Sequence, residues 1–226
     1  MTSRILLVVL TLGLVLAPAA LAADVYVVHG IDGTDLGQVQ ELPVDINVNG
    51  RSVLTNVPFG GVAGPLELPE GEHTLEVRLA NGAGTGTLAI SGRIDLSLFE
   101  TAVIVAHLDG HGTARLSKFT VNTGVRAEGQ ARLALAHAAQ APAVDVSVRG
   151  TNGTKGKTRV RGLINGQKSF PAELDEGTYR FTVKATGAKG TVAKLDGVEV
   201  GGNLVIVAVG SVVTGTFTVI PVAIGG

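Results

Sequence analysis

The chain has 226 residues, of which 45% are hydrophobic and 16% charged, and its formal net charge at pH 7 is −1. Nucleic-acid binding normally needs a basic face, so this composition excludes a nucleic-acid partner. The sequence has no Cys, which excludes disulfides and a lipid-modified N-terminal Cys, so stability must come from hydrophobic cores.

The two halves of the chain differ in charge. Residues 24–126 contain 12 acidic and 6 basic side chains, whereas residues 127–226 contain 7 acidic and 11 basic ones. Opposite net charges predict attraction, and contact between unlike halves of neighbouring copies would be head-to-tail self-association. The alternative is that the charges are spread around each half and only keep the protein soluble.

Residues 1–23 have the layout of a secretory signal peptide. Arg4 precedes an apolar run over 5–16, and the segment ends in the small residues APAALAA. The run is shorter than the roughly 20 residues that a membrane span needs. We therefore predict cleavage after Ala22 or Ala23, no transmembrane anchor in the mature chain, and a secreted, periplasmic or cell-surface location.

Short strands with turn signals between them follow the signal segment. In the first half, DVYVVHG (24–30) is a strand, Asn49-Gly50 predicts a tight hairpin inside LPVDINVNGRSVLTNV (42–57), and further strands are predicted over 85–90, 101–108 and 113–121. In the second half, strands are predicted over 131–138, 141–150, 204–210 and 214–222.

One stretch occurs twice, as PLELPEGEHTLEVR (65–78) and PAELDEGTYRFTVK (171–184). After a Gly-containing turn, polar and apolar residues alternate, which places Leu75 and Val77, or Phe181 and Val183, on one buried face. Turns every 8 to 12 residues favour a sandwich. We predict an all-β protein of two tandem immunoglobulin-like antiparallel β-sandwich domains, residues 24–124 and 125–226.

The order of these landmarks resembles a known family. A first strand ending at His29 or His137, then PVDINVNG or AVDVSVRG, then the duplicated stretch, then VIVA, is similar to DUF4397, a bacterial and archaeal family often found in tandem in exported proteins. The resemblance covers nearly all of 24–222. It implies a structural β domain and supplies no catalytic residues. The segments 32–41 and 151–159 depart from the pattern.

Several polar residues are candidates for a site. His107, Asp109 and His111 alternate and are weak candidates for a zinc set, although the glycines between them favour a hairpin tip. His29 and His137 recur at the end of the first strand, where we expect each imidazole to bond loop backbone. Asp45 and Asp145 also recur, and we expect them to be solvated or to bond turns.

The segment TNGTKGKT (151–158) nearly matches a phosphate-binding loop, but Thr151 stands where that motif needs Gly and a strand follows instead of a helix. We interpret the basic residues over 155–161 as a solvated hairpin, with an anionic contact patch as the alternative. No nucleophile motif is present, so no catalytic residue and no cofactor are predicted.

The sequence therefore predicts an exported, non-enzymatic envelope or extracellular protein with a structural, adhesive or protein-interaction role. A small-molecule or metal-binding module that uses the loops near His29 and His107 is the alternative.

Overall fold

The computed structural model describes residues 22–38 and 41–225, so residues 1–21 of the predicted signal peptide lie outside the described residues. The predicted all-β class is confirmed. The helical element in the described residues is a 3-10 turn, Gly33–Leu36. The strands are β1 Ala22–His29, β2 Val44–Val48, β3 Arg51–Val57, β4 Val62–Pro69, β5 Gly71–Leu79, β6 Leu88–Leu96, β7 Thr101–Leu108, β8 Ala114–Val121, β9 Gln130–His137, β10 Val144–Gly150, β11 Lys157–Leu163, β12 Gln167–Lys168, β13 Ala172–Asp175, β14 Gly177–Ala185, β15 Ala193–Val200, β16 Asn203–Val209 and β17 Thr218–Ile224.

The strands form four sheets, two in each half of the chain. In the first sandwich, outer sheet 1 has the order β3-β2-β5-β6 and inner sheet 1 the order β4-β1-β7-β8. In the second sandwich, outer sheet 2 has the order β11-β10-β14-β15 and inner sheet 2 the order β12-β9-β16-β17, with β13 also paired to β9. The connection from β8 to β9 contains the domain boundary that we predict at 124/125.

The pairing registers of the two sandwiches are similar, with β12 and β13 of the second together in the place of β4 of the first. In the first, β1 pairs in parallel with β7 and His29 lies opposite Ala106; in the second, β9 pairs in parallel with β16 and His137 lies opposite Ala208. The correspondence of His29 with His137 is therefore confirmed. All other strand pairs are antiparallel.

Three hydrophobic cores separate the four sheets. One fills the first sandwich and another fills the second. The third lies between the two inner sheets, where Val103 and Val105 of β7 and Val205 and Val207 of β16 pack together. Each inner sheet is therefore buried on both faces, which explains why its central strands are continuous apolar runs without alternation. The order of layers is outer sheet 1, inner sheet 1, inner sheet 2, outer sheet 2.

The local turn predictions hold. Asn49 (φ 50°) and Gly50 (φ 75°) join β2 to β3 with two positive φ values, the signature of a type I′ hairpin turn. In the duplicated stretch, Leu75 and Val77 enter the first core and Phe181 enters the second, as the alternation predicts. The turn before each of these strands is the corner at which the chain passes from an inner sheet to an outer sheet.

The ion pairs of the described residues all stay within one half of the chain. Examples are Lys118 with Glu100 in the first sandwich, 2.9 Å apart, and Arg132 with Glu173 in the second, 2.6 Å apart. The contact between the sandwiches consists instead of an apolar core with hydrogen bonds around it, such as that from Asn165 to the Leu108 carbonyl. Self-association through the oppositely charged halves stays a prediction.

Candidate functional site

The first sandwich contains an apolar cavity of about 350 Å³ at the end of its core. It opens between the loop after β1 and the start of β6. Its walls come from both sheets of the sandwich and from the segment that follows β1. The described lining residues are His29, Ile31, Leu36, Gln38, Leu42, Val44, Val77, Leu79, Thr87, Leu88, Ala89, Ile90 and Ala114.

The 3-10 turn, Gly33–Leu36, builds one rim of the cavity. Asp32 precedes it, and its Oδ1 accepts hydrogen bonds from the backbone N–H of Thr34 at 2.9 Å and from the Thr34 hydroxyl at 2.6 Å. The Asp32 N–H in turn donates to Oδ2 of Asp35 at 3.1 Å, which completes a capping box. This turn lies in the segment 32–41, which departs from the family pattern, and it places Leu36 over the cavity.

The second sandwich holds this rim in place. Oδ1 of Asp35 accepts a hydrogen bond from the hydroxyl of Thr216 at 2.7 Å and another from the hydroxyl of Thr214. Thr216 also accepts a bond from the Ser211 N–H at 2.8 Å, at the end of β16. The rim of the cavity is therefore fixed by residues about 180 positions away in the sequence.

His29 is the buried polar group in the cavity wall. Its side chain is 2% exposed, and its Nε2 lies 2.9 Å from the carbonyl oxygen of Leu42, which confirms the predicted bond to loop backbone. A carbonyl only accepts, so Nε2 carries the proton. Burial lowers the pKa of His29, which favours the neutral ring and leaves Nδ1 as a lone-pair acceptor. Within the described residues, Nδ1 has no hydrogen-bond partner.

The equivalent histidine of the second sandwich is fully bonded. Nε2 of His137 lies 3.0 Å from the carbonyl oxygen of Pro142, which matches the bond between His29 and Leu42 in the first sandwich. Unlike that of His29, Nδ1 of His137 also has a partner, because it accepts a hydrogen bond from the Ala139 N–H at 3.2 Å. Burial lowers the pKa of His137 as well. The nearest cavity of the second core measures only about 20 Å³.

Two differences between the sandwiches bear on this space. Ala114 at the start of β8 lines the cavity of the first sandwich, whereas Phe217, just before β17, packs on the core of the second. The segment between β1 and β2, which supplies Leu36 and Gln38 to the wall, is also longer than the segment between β9 and β10. Other wall positions are larger in the first sandwich, so they do not create the space: Ile31, Leu79 and Ile90 correspond to Ala139, Ala185 and Ala193.

The three zinc candidates do not converge. His107 is 1% exposed and faces the core between the sandwiches. The Asp109 carboxylate instead closes the hairpin tip, because its Oδ1 accepts the N–H of His111 at 2.9 Å and of Thr113 at 3.0 Å. These backbone bonds lower the pKa of Asp109 to about 2. In the parts of the chain that the structure describes, no group of three or more His, Cys, Asp or Glu side chains could hold a metal ion.

His107 forms a pair that sequence reasoning missed. Its Nδ1 lies 3.0 Å from the Leu108 carbonyl and its Nε2 lies 2.8 Å from the hydroxyl of Ser117 on the adjacent strand. Since the carbonyl takes the Nδ1 proton, the Ser117 hydroxyl donates to Nε2 of the neutral ring. The pair lies at the seam between the sandwiches, outside the cavity lining, where burial lowers the pKa of His107.

The recurring aspartates bond turns. Asp45 is fully buried and accepts hydrogen bonds from the backbone N–H groups of Asn56, Asn81 and Gly84 at 2.9–3.1 Å. Burial alone would raise the pKa of Asp45, but these bonds together outweigh burial and hold the pKa below its usual value. Asp145 accepts from the Gly162 N–H and the Thr186 hydroxyl, both at 2.9 Å.

A row of three cations crosses outer sheet 2 on its solvent side. Arg149 of β10 lies directly opposite Lys157 of β11 and, on its other side, directly opposite Arg180 of β14. All three side chains are exposed. Like charges directly opposite each other destabilise a sheet, but Arg180 is also ion-paired with Asp196, which offsets part of this repulsion. Of the three residues in the row, Lys157 belongs to the basic segment 155–161.

The fold and the cavity define an all-β protein of two packed sandwiches, the first of which has an apolar cavity of small-molecule size at the end of its core. The family described as "Domain of unknown function (DUF4397)" matches residues 16–147, more than half of the chain, and the chain belongs to this family. The match covers the whole first sandwich and continues into β10. The predicted family is therefore confirmed.

Other comparisons add little. None of the curated proteins matches the chain. Among solved structures, the chain is similar to "The Bacillus anthracis TIE protein", with 12% identity and a TM-score of 0.26, over 84% of this chain and 34% of that one. This chain thus spans about a third of that protein's length, and a TM-score this low supports no functional argument. No helix within 22–38 or 41–225 is long and apolar enough to cross a membrane.

Proposed function

We propose that the protein is an exported, non-enzymatic binding protein whose first sandwich takes up a small apolar molecule in the cavity beside His29. The observation that carries the proposal is the contrast between the two cores: the cavity at the end of the first measures about 350 Å³ and the one at the second about 20 Å³. Pockets for small ligands typically measure about 300–1,000 Å³ and have mostly apolar walls. Export is proposed from the signal-like residues 1–23.

The walls support this proposal energetically. Four buried side chains of the wall present only hydrocarbon to the cavity: Ile31, Val44, Val77 and Ile90. Apolar cavities of this kind take up small hydrocarbons because each Å² of apolar surface removed from water stabilises the complex by about 25 cal/mol. At the mouth, Leu36 and Leu88 are 42% and 45% exposed, so the apolar lining continues to the surface.

The test is to fill the cavity by replacing Ala114 in its wall with Phe, the residue type that packs on the second core at position 217. Naphthalene is titrated into the mature protein and into Ala114→Phe, with binding followed by calorimetry and by chemical shifts of the wall methyl groups. Thr113→Phe is the matched control, because Thr113 is the exposed neighbour of Ala114 and the added ring faces solvent. We expect naphthalene to bind the wild type and Thr113→Phe and to lose at least about ten-fold in affinity for Ala114→Phe.

Equal affinity for Ala114→Phe and the wild type, or no binding to the wild type, would overturn the proposal. The reciprocal variant Phe217→Ala gives a further check, since it should open a naphthalene-binding cavity in the second sandwich at a cost of about 3–5 kcal/mol in the free energy of unfolding.

A second candidate function is contact with an acidic protein or envelope polymer through outer sheet 2. The observation that favours it is that Arg149 and Lys157 lie directly opposite each other, beside Arg180, which pairs with Asp196; an anionic partner would stabilise the first two. Poly-L-glutamate should bind at 0.1 M salt and be released at 1 M, because the Debye length falls from about 10 Å to about 3 Å. Arg149→Gln should weaken this binding, whereas Arg93→Gln, on outer sheet 1, should not. Equal effects of the two variants would contradict a specific contact.

A further inference from the structure

Asn-Gly pairs occur at four connections between strands, residues 49–50, 81–82, 152–153 and 165–166. We propose that Asn152 is a modification site, at which the folded protein converts asparagine spontaneously to aspartate or isoaspartate. In the other three pairs, side-chain hydrogen bonds hold the asparagine and slow the same reaction. This inference concerns the segment 151–159, which departs from the family pattern, and does not depend on the ligand of the cavity.

The reaction needs only the chain and water. The backbone nitrogen of the glycine loses its proton to a base and forms a bond to Cγ of the asparagine, and the side-chain amide nitrogen leaves as ammonia. Water then opens the resulting succinimide ring at either of its carbonyl groups, so one water is consumed for each ammonia released. Glycine favours this attack because it has no side chain to shield its nitrogen or to restrict the backbone.

Asn152 and Gly153 are exposed at the tip of the hairpin that joins β10 to β11. The tip is held by the Thr154 N–H, which donates to the Thr151 carbonyl at 2.9 Å, and by the Thr151 hydroxyl, which donates to the Thr178 carbonyl at 3.1 Å. Among the described residues, these bonds use neither the Asn152 side chain nor the Gly153 N–H. The side chain can therefore rotate toward the nitrogen, which solvent and base can reach.

Asn49 is the matched comparison, because its φ of 50° is close to the 53° of Asn152 and both asparagines precede a glycine with positive φ. Its Oδ1 accepts the Thr74 N–H at 2.9 Å. Nε2 of His73 lies 2.8 Å from the Pro69 carbonyl and so carries the proton, which leaves Nδ1 to accept the Asn49 amide at 3.0 Å. Cyclisation at Asn49 requires the loss of both side-chain bonds.

The two remaining asparagines are also held. Nδ2 of Asn165 donates to the carbonyl oxygens of Leu108 at 2.9 Å and of Ala139 at 2.6 Å. Nδ2 of Asn81 donates to the hydroxyl of Thr85 at 2.8 Å, and its Oδ1 accepts the Thr85 N–H at 3.3 Å. The bonds of Asn81 are local and exposed, so we expect its rate to lie between those of Asn152 and Asn165.

The modification lowers the positive charge of outer sheet 2. It places a carboxylate at the hairpin tip, three residues after Arg149 and five residues before Lys157. An acidic partner at this sheet would meet less positive charge, so the unmodified chain is the form that suits such a partner. The added charge also separates the modified chain from the unmodified one by ion exchange.

The experiment follows all four Asn-Gly pairs in the folded mature protein at mildly alkaline pH. Ion exchange measures the modified fraction over time, and peptide mapping by mass spectrometry assigns aspartate and isoaspartate to each pair. We expect Asn152 to react at least about ten-fold faster than Asn49 and Asn165, which corresponds to a difference of about 1.4 kcal/mol in activation free energy. In the urea-unfolded chain the four rates should converge, because the protecting bonds are lost.

The variant Asn152→Gln should remove the fast reaction, since glutamine would have to close a larger ring. Equal rates at Asn152 and Asn49 in the folded protein would overturn the proposal. A preference for Asn152 that is as large in urea as in the folded protein would also overturn it, because the local sequence and not the hydrogen bonds would then be the cause.

Discussion

The backbone N–H of Gly210 donates a hydrogen bond to the carbonyl oxygen of Gly30, with an N···O distance of 3.1 Å. The end of β16 in the second sandwich is therefore tied to the residue that follows β1 and His29 in the first. A Cβ atom on Gly30 would lie 2.8 Å from Cγ1 of Val209 and 2.9 Å from the carbonyl oxygen of Ala106. The close approach of the two sandwiches at this point requires a residue without a side chain.

We therefore predict that Gly30→Ala lowers the free energy of unfolding by about 1–3 kcal/mol, as overpacking in a dense interior does. Chemical denaturation of the mature protein measures the change. Gly190→Ala is the control, because no atom lies within 4 Å of a Cβ placed there. A loss for Gly190→Ala as large as that for Gly30→Ala would contradict the packing explanation.

The alternation in β14 gives a second prediction. Phe181 is fully buried in the second core, so Phe181→Ala should lower the free energy of unfolding by about 3–5 kcal/mol. Lys184 lies on the other face of the strand and is half-buried, so Lys184→Ala should change the free energy of unfolding by no more than about 0.5 kcal/mol. Urea denaturation of both variants checks this, and two equally small losses would mean that the strand faces the other way.

Asp45 gives a prediction about how stability depends on pH. Its pKa in the folded protein lies below the usual carboxyl value, so its stabilising effect is present above the unfolded pKa of about 3.9 and is lost as the pH falls through the folded pKa. At pH 7, Asp45→Asn should lower the free energy of unfolding by about 2 kcal/mol, since three backbone N–H groups lose their charged acceptor. This difference should shrink as the pH falls below about 4.

The measurement is the free energy of unfolding of the wild type and Asp45→Asn between pH 7 and pH 2. Glu70→Gln, which replaces an exposed carboxylate at the corner before β5, serves as the control and should follow the wild-type curve. A difference between the wild type and Asp45→Asn that is the same at every pH would rule out the carboxylate charge as its cause.

The start of β1 sharpens the predicted cleavage site. Ala23 is fully buried in the first core and lies opposite Leu68 of β4. Cleavage after Ala22 retains this contact, whereas cleavage after Ala23 removes it. We therefore expect N-terminal sequencing of the exported protein to give Ala23 as the first residue. A mature chain that starts at Asp24 would show that this contact is dispensable.

Much of the fold could be predicted from local patterns. The alternation after residue 71 identifies a strand buried on one face, and Asn49-Gly50 identifies its hairpin turn, because both signals come from neighbouring residues. The unbroken apolar run in β7 indicates burial on both faces. It does not indicate what covers the second face, because the covering strands β16 and β17 are about 100 residues further along.

The site was only partly predictable. The recurrence of His29 and His137 drew attention to the right position, and the departure of the segment 32–41 from the family pattern indicated the rim. The open space could not be predicted, because it depends on how residues far apart in the sequence, such as Leu36, Leu88 and Ala114, come together in the wall. The different bonding of Nδ1 in His29 and His137 was not predictable either, although the N–H that bonds His137 comes from Ala139, only two residues further along.

The apolar contact between the inner sheets makes the halves depend on each other. If either half were produced alone, Val103 and Val105 or Val205 and Val207 would face water as part of a broad apolar surface, the kind of surface that leads to aggregation. The first half would also lack Thr216, whose hydroxyl donates a hydrogen bond to Asp35 at the cavity rim. The apolar contact and the bond to Asp35 thus join the two sandwiches into one packed structure around the cavity.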